Sequence, residues 1–164
     1  MMKKCIVLLL VVLCAIPCFL PQNNAIVRLH IRANSDRDAD QAKKLAVRDE
    51  VNALLADGLV ACRTKEEALA FLESKQVQLK ETAERISGQS AAVTLAEEDF
   101  PTRVYGETVY PAGRYSALVI TLGAGEGHNW WCVVFPPMCY GKSSSGKTEY
   151  RSLFQILWER LTGR

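Results

Sequence analysis

Residues 26–58 read IVRLHIRANSDRDADQAKKLAVRDEVNALLADG, and the change of period inside this stretch decides the fold. From Ile26 to Arg32 apolar and polar residues alternate. Val27, Leu29 and Ile31 share one face and Arg28, His30 and Arg32 the other, as in a half-buried strand. Asn34-Ser35-Asp36 then supplies residues that cap helix starts, and Asp36, Asp38 and Asp40 suit the positive end of a helix dipole. Val47, Val51, Leu54 and Leu55 continue at helical spacing, and Gly58 is the expected stop. A strand running straight into an amphipathic helix calls for a layer of helix on sheet.

Downstream, Thr64 and Glu67 have the spacing of a capping box, so a second helix is expected there. Leu79, Ala83 and Ile86 carry helical spacing as far as Ser87-Gly88, with Ser74-Lys75 as a candidate break into a third helix. After Ser90 the pattern becomes extended. Strands are expected at Ala91, Val93 and Leu95, at 100–110, at 115–122 and at 130–135. Tyr110-Pro111-Ala112-Gly113 fits a type I turn and predicts an antiparallel connection. The expected fold is α+β: an N-terminal strand, two or three helices, and a mainly antiparallel sheet with helices on one face.

At the other end of the chain, Lys3-Lys4, an apolar run from Cys5 to Leu20 and polar Gln22-Asn23-Asn24 have the layout of an export signal. Residues 1–25 are read as a signal peptide or an uncleaved anchor, and 26–140 as the exported domain. That domain is followed by a Gly/Ser/Lys linker over 141–148. An amphipathic helical tail over 149–164 carries Tyr150, Leu153, Phe154, Leu157 and Leu161 in one stripe, which would dock on the domain, on a partner or on a membrane surface. Loss of the leader removes Lys3 and Lys4, leaving 18 of the 20 basic residues against 18 acidic ones. A neutral exported chain lacks the basic excess that nucleic-acid binding needs.

Export also frames the cysteines. Cys5, Cys14 and Cys18 lie in the leader, so Cys62, Cys132 and Cys139 remain. Cys132 and Cys139 are the expected disulfide pair, with Cys62 a buried thiol or an intermolecular partner.

The segment 121–140, TLGAGEGHNWWCVVFPPMCY, gathers most of the unusual chemistry. Glu126, His128 and Cys132 resemble a catalytic set, and an extracytoplasmic hydrolase using His128 and Cys132 is the alternative enzymatic reading. Against it, Cys132 lies in an apolar strand and has a disulfide candidate, so His128 is read as a loop residue. Of Trp130 and Trp131, alternation sends one inward and one outward, where the outward ring anchors an interface or lies under the C-terminal helix. Residues 141–148 match G-x-x-x-x-G-K-[ST], but only 16 residues follow, too few for the strand that carries the second magnesium ligand. No nucleotide, metal or other cofactor is expected. The only two histidines, His30 and His128, are far apart in sequence.

Two blocks, LHIRANSDRDADQAKKLAVRDEV from Leu29 to Val51 and FPTRVYGETVYPAGRYSALVITLGAGEGHNWWCVVFPPMCY from Phe100 to Tyr140, resemble the stage II sporulation protein R family of endospore-forming bacteria. The resemblance runs from Ile26 to Tyr140. It implies a secreted signalling protein that is not an enzyme. The forespore would export it into the space between forespore and mother-cell membranes, where it would activate a membrane-embedded aspartic protease of the mother cell. That protease would process a sigma-factor precursor. The surface expected to bind it comprises Gly125, His128, Asn129, Trp130, Trp131, Pro136 and Pro137, with Arg32, Asn34 and Asp36 as a second patch.

Overall fold

The computed structural model describes residues 25–105 and 108–138. Residues 1–24 of the leader, Cys139, the linker and the helical tail expected at 149–164 lie outside the described residues. The order is β1 (Val27–Arg32), α1 (Asp38–Ala61), α2 (Lys65–Ser87), β2 (Ala91–Phe100), β3 (Arg103–Tyr105), β4 (Thr108–Tyr110), β5 (Gly113–Leu122) and β6 (Asn129–Phe135). Four strands form one sheet in the order β2-β5-β1-β6, and β3 and β4 form a separate two-stranded ribbon.

The α+β class holds, and the sheet is mixed, with two of its three pairings antiparallel and one parallel. Its centre is the parallel pair β1–β5, with Val27 opposite Ser116 and Arg32 opposite Thr121. β2 and β6 flank this pair antiparallel. The turn at Tyr110–Gly113 does not join paired neighbours, because β4 pairs with β3 and β5 pairs with β2.

Among the described residues, two helices cover one face. α2 runs unbroken past Ser74-Lys75, and it starts as expected: Thr64 Oγ1 accepts from the Glu67 amide at 3.2 Å. It ends at Gly88, whose φ of 63° suits glycine. α1 departs from expectation at both ends. Arg37 is its N-cap and makes no side-chain cap bond, and the helix passes through Gly58 to Ala61. Gly58 is needed inside the helix for another reason: a Cβ there would fall 2.1 Å from Cζ of Phe71 on α2. Between helices and sheet lies the main core, with Val47, Val51, Leu55 and Leu59 of α1 and Leu72, Leu79 and Ala83 of α2 against Leu29, Ile31, Leu118, Ile120 and Val134.

The opposite face of the sheet is also covered. Phe100, Tyr115, Ala117 and Val119 form a second apolar cluster there, with Trp131 packed on it. β1 is therefore buried on both faces, unlike the half-buried strand that alternation predicts. Arg28 is fully buried, its guanidinium 4.6 Å from the Phe100 ring centroid, 5.2 Å from Tyr115, 5.5 Å from Tyr110 and 5.8 Å from Tyr105. Its three nitrogens have no hydrogen-bond partner among the described residues, and burial lowers its pKa. The same burial raises those of Tyr110 and Tyr115.

Candidate functional site

Three glycines bring the β5–β6 loop onto the turn between β1 and α1. Gly123 and Gly125 have φ of 54° and 69°, where other residues are strained. Gly127 is required by space, since a Cβ would lie 2.3 Å from the Ser35 carbonyl oxygen. The close approach is fixed by hydrogen bonds: the Gly127 amide donates to the Ala33 carbonyl at 2.9 Å, and the Ala124 amide to Asn34 Oδ1 at 2.9 Å. Parts of the two candidate patches thus meet as one surface, Asn34 and Asp36 of one with Gly125 and His128 of the other.

At its crest His128 and Asp36 are joined. Both the backbone amide and Nδ1 of His128 lie 2.5 Å from Asp36 Oδ1, and the two side chains are 81% and 56% exposed. The amide bond, then the imidazole bond, hold the Asp36 carboxyl below its usual pKa. Asp36 therefore binds the loop rather than capping α1. Lys44 completes the support from below, donating to the His128 carbonyl at 2.9 Å and to Gln41 Oε1 at 2.6 Å. Burial lowers the Lys44 pKa, with Asp36 opposing the shift.

Beneath the crest sits Asp40, buried, with four side-chain donors around one carboxylate. Ser35 Oγ lies at 2.5 Å, Asn34 Nδ2 at 2.8 Å, Gln89 Nε2 at 2.8 Å and Arg37 Nη2 at 3.3 Å. Ser35, Asn34 and Gln89, in that order, hold its pKa far below the carboxylate range. This one residue ties the β1–α1 turn to the α2–β2 connection. In the sequence Asp40 reads only as a helix-start acid, and Lys44 and Gln89 carry no signal. Only the distance in space, not the spacing in sequence, reveals their roles.

Trp130 and Trp131 take opposite faces. Trp130 packs against the main core with Arg48 5.6 Å from its ring centroid. Trp131 is stacked on His30 at 5.5 Å, under Arg103 at 4.4 Å, and its carbonyl accepts from the Tyr105 hydroxyl at 3.0 Å. The β3–β4 ribbon thus covers the ring facing away from the helices. Neither tryptophan is fully buried. His30 Nδ1 lies 2.6 Å from Glu98, which also accepts from Arg32 at 2.5 Å, so Arg32 is tied to β2. Asn129 pairs with Arg32 across β1–β6 and adjoins the crest.

Pro136 and Pro137 are not part of this surface. They follow the far end of β6, a strand of seven residues that spans about 20 Å. Cys132 is disulfide-bonded and buried, while its expected partner Cys139 lies outside the described residues. Cys62 is a free thiol that is only half-buried, with its pKa raised by desolvation.

A family model described as Stage II sporulation protein R matches residues 23–145, which takes in both faces of this junction. The Stage II sporulation protein R of Bacillus subtilis (strain 168) is 44% identical over 126 residues, covering 74% of this chain and 56% of that protein. The chain therefore spans about half the length of this curated relative. No solved structure matches.

Proposed function

Because this chain belongs to the stage II sporulation protein R family, we propose that it acts in endospore formation as a secreted signal between forespore and mother cell. In this reading it is exported into the space between the two membranes. There it activates a membrane-embedded aspartic protease of the mother cell, which processes the precursor of a sigma factor. The observation that carries the proposal is the exposed Asp36–His128 pair on a base fixed by Asp40 and Lys44. A rigid, polar, outward surface suits recognition, because little ordering entropy is lost on binding. Activation then requires only that the protease's active arrangement binds this surface more tightly than its inactive one.

The hydrolase alternative lacks support at its nucleophile. Cys132 is disulfide-bonded, and it lies three residues beyond Asn129 on an extended strand, about 10 Å from the loop that holds His128. The test is reconstitution: the chain is added to membranes holding the candidate protease, and cleavage of the sigma precursor is followed. His128→Ala and Asp36→Ala should each reduce cleavage at least tenfold while the chain stays folded. Full activation by both variants would remove this surface from the proposal.

A further inference from the structure

The two edges of the main sheet are treated differently. On β6 the outward carbonyls of Trp131 and Val133 are occupied, by the Tyr105 hydroxyl at 3.0 Å and the Met138 amide at 3.4 Å. On β2 almost nothing is. The Ser90 carbonyl accepts from the Gly123 amide, which points even-numbered residues toward β5. The Ala91 amide points away and donates to Glu84 Oε1 at 3.2 Å. The register with β5 is unbroken to Phe100, so Val93, Leu95, Glu97 and Asp99 turn their N–H and C=O groups outward. None of these groups has a hydrogen-bond partner among the described residues.

Such an edge is a template for another strand: β2 has no proline and no bulge, and its charges are confined to Glu97, Glu98 and Asp99. The geometry points to a second copy of this chain as the occupant, paired β2 to β2 antiparallel about a two-fold axis at Ala96. In that register Val93 pairs with Asp99 of the other copy and Leu95 with Glu97, so the outward groups of these four residues are satisfied on both strands. Charge selects the direction. Glu97, Glu98 and Asp99 then lie opposite Leu95, Thr94 and Val93, whereas parallel pairing in register sets acid beside acid. Ala92, Thr94 and Ala96 are exposed on the face away from the helices, and Ala96 is small enough for the close approach at the axis. The result is an isologous dimer with one continuous eight-stranded sheet.

The full chain in detergent tests this by cross-linking under mild oxidation, read on non-reducing gels against the unmodified chain. Ala96→Cys should give a new dimer band, since facing Cα atoms at the axis lie about 4.5 Å apart. Ala92→Cys, on the same face but off the axis, should not. Adding Glu97→Pro to Ala96→Cys should abolish the band while circular dichroism stays unchanged, because the lost amide faces away from β5. Adding Glu97→Ala, which keeps the amide, should leave the band intact. Absence of the Ala96→Cys band from folded protein, or its survival with Glu97→Pro, would overturn the proposal. So would a monomer whose β2 edge captures a different protein in a manner blocked by Glu97→Pro.

Discussion

Asp40 and Arg28 show how differently one fold treats two buried charges. Asp40 is surrounded by donors and its pKa is depressed, so its contribution to stability is present above the unfolded carboxylate pKa and lost as pH falls through the folded value. Asp36, also depressed, acts in the same direction. We expect the unfolding midpoint of the chain to fall below about pH 4, and Asp40→Asn to lower it at neutral pH while flattening that acid limb; urea titrations from pH 2 to 7 would measure both. Arg28 has aromatic rings and no hydrogen bonds among the described residues, so its charge contributes little against its desolvation. Arg28→Met, which fills the same space, should stay within about 1 kcal/mol of the parent stability. Arg28→Ala should lose about 3 kcal/mol through the cavity it leaves. A large loss in Arg28→Met would show that the guanidinium itself supports the fold.

At the scale of elements, the helix pair is held at a glycine. Gly58→Ala ought to stabilise an isolated helix by roughly 1 kcal/mol, yet here its methyl group would overlap the Phe71 ring. Overpacking of this kind costs about 1–3 kcal/mol, so we expect a net loss of about 1 kcal/mol in denaturant unfolding. Phe71→Leu in the same chain should recover it. The element also marks what sequence could and could not reveal. Thr64 and Glu67 announced the start of α2 because a cap is local chemistry. Gly58 looked like a helix stop because its reason, a ring on another helix, lies 13 positions away. β1 is the same lesson on a sheet: its alternation is real, but Arg28 and His30 face the aromatic residues of β2, β5 and the β3–β4 ribbon rather than water. The parallel β1–β5 pairing spans about 90 residues, and no local pattern encodes it.

Across the whole molecule, the candidate site is a junction of distant parts. The glycine-rich loop with His128 was visible in the sequence from its odd composition, and Arg32, Asn34 and Asp36 from the resemblance to the family. Their union was not, since the Asp36–His128 contact joins residues 92 apart. Stability and signalling should therefore separate by depth. Asp36→Ala removes only exposed contacts and should leave the melting temperature within a few degrees, as surface changes do; Asp40→Ala should impair both. Calorimetry beside the protease reconstitution would distinguish them.

The near-contact of Gly127 with the Ser35 carbonyl has a temporal meaning as well. The loop can settle there only after β5 and β6 have closed around β1, the joining of the first and last described strands. A chain cut between α1 and β5 holds either half of the surface but not the whole. On the proposed function, a protease that reads this surface would respond to the finished fold and to neither fragment alone.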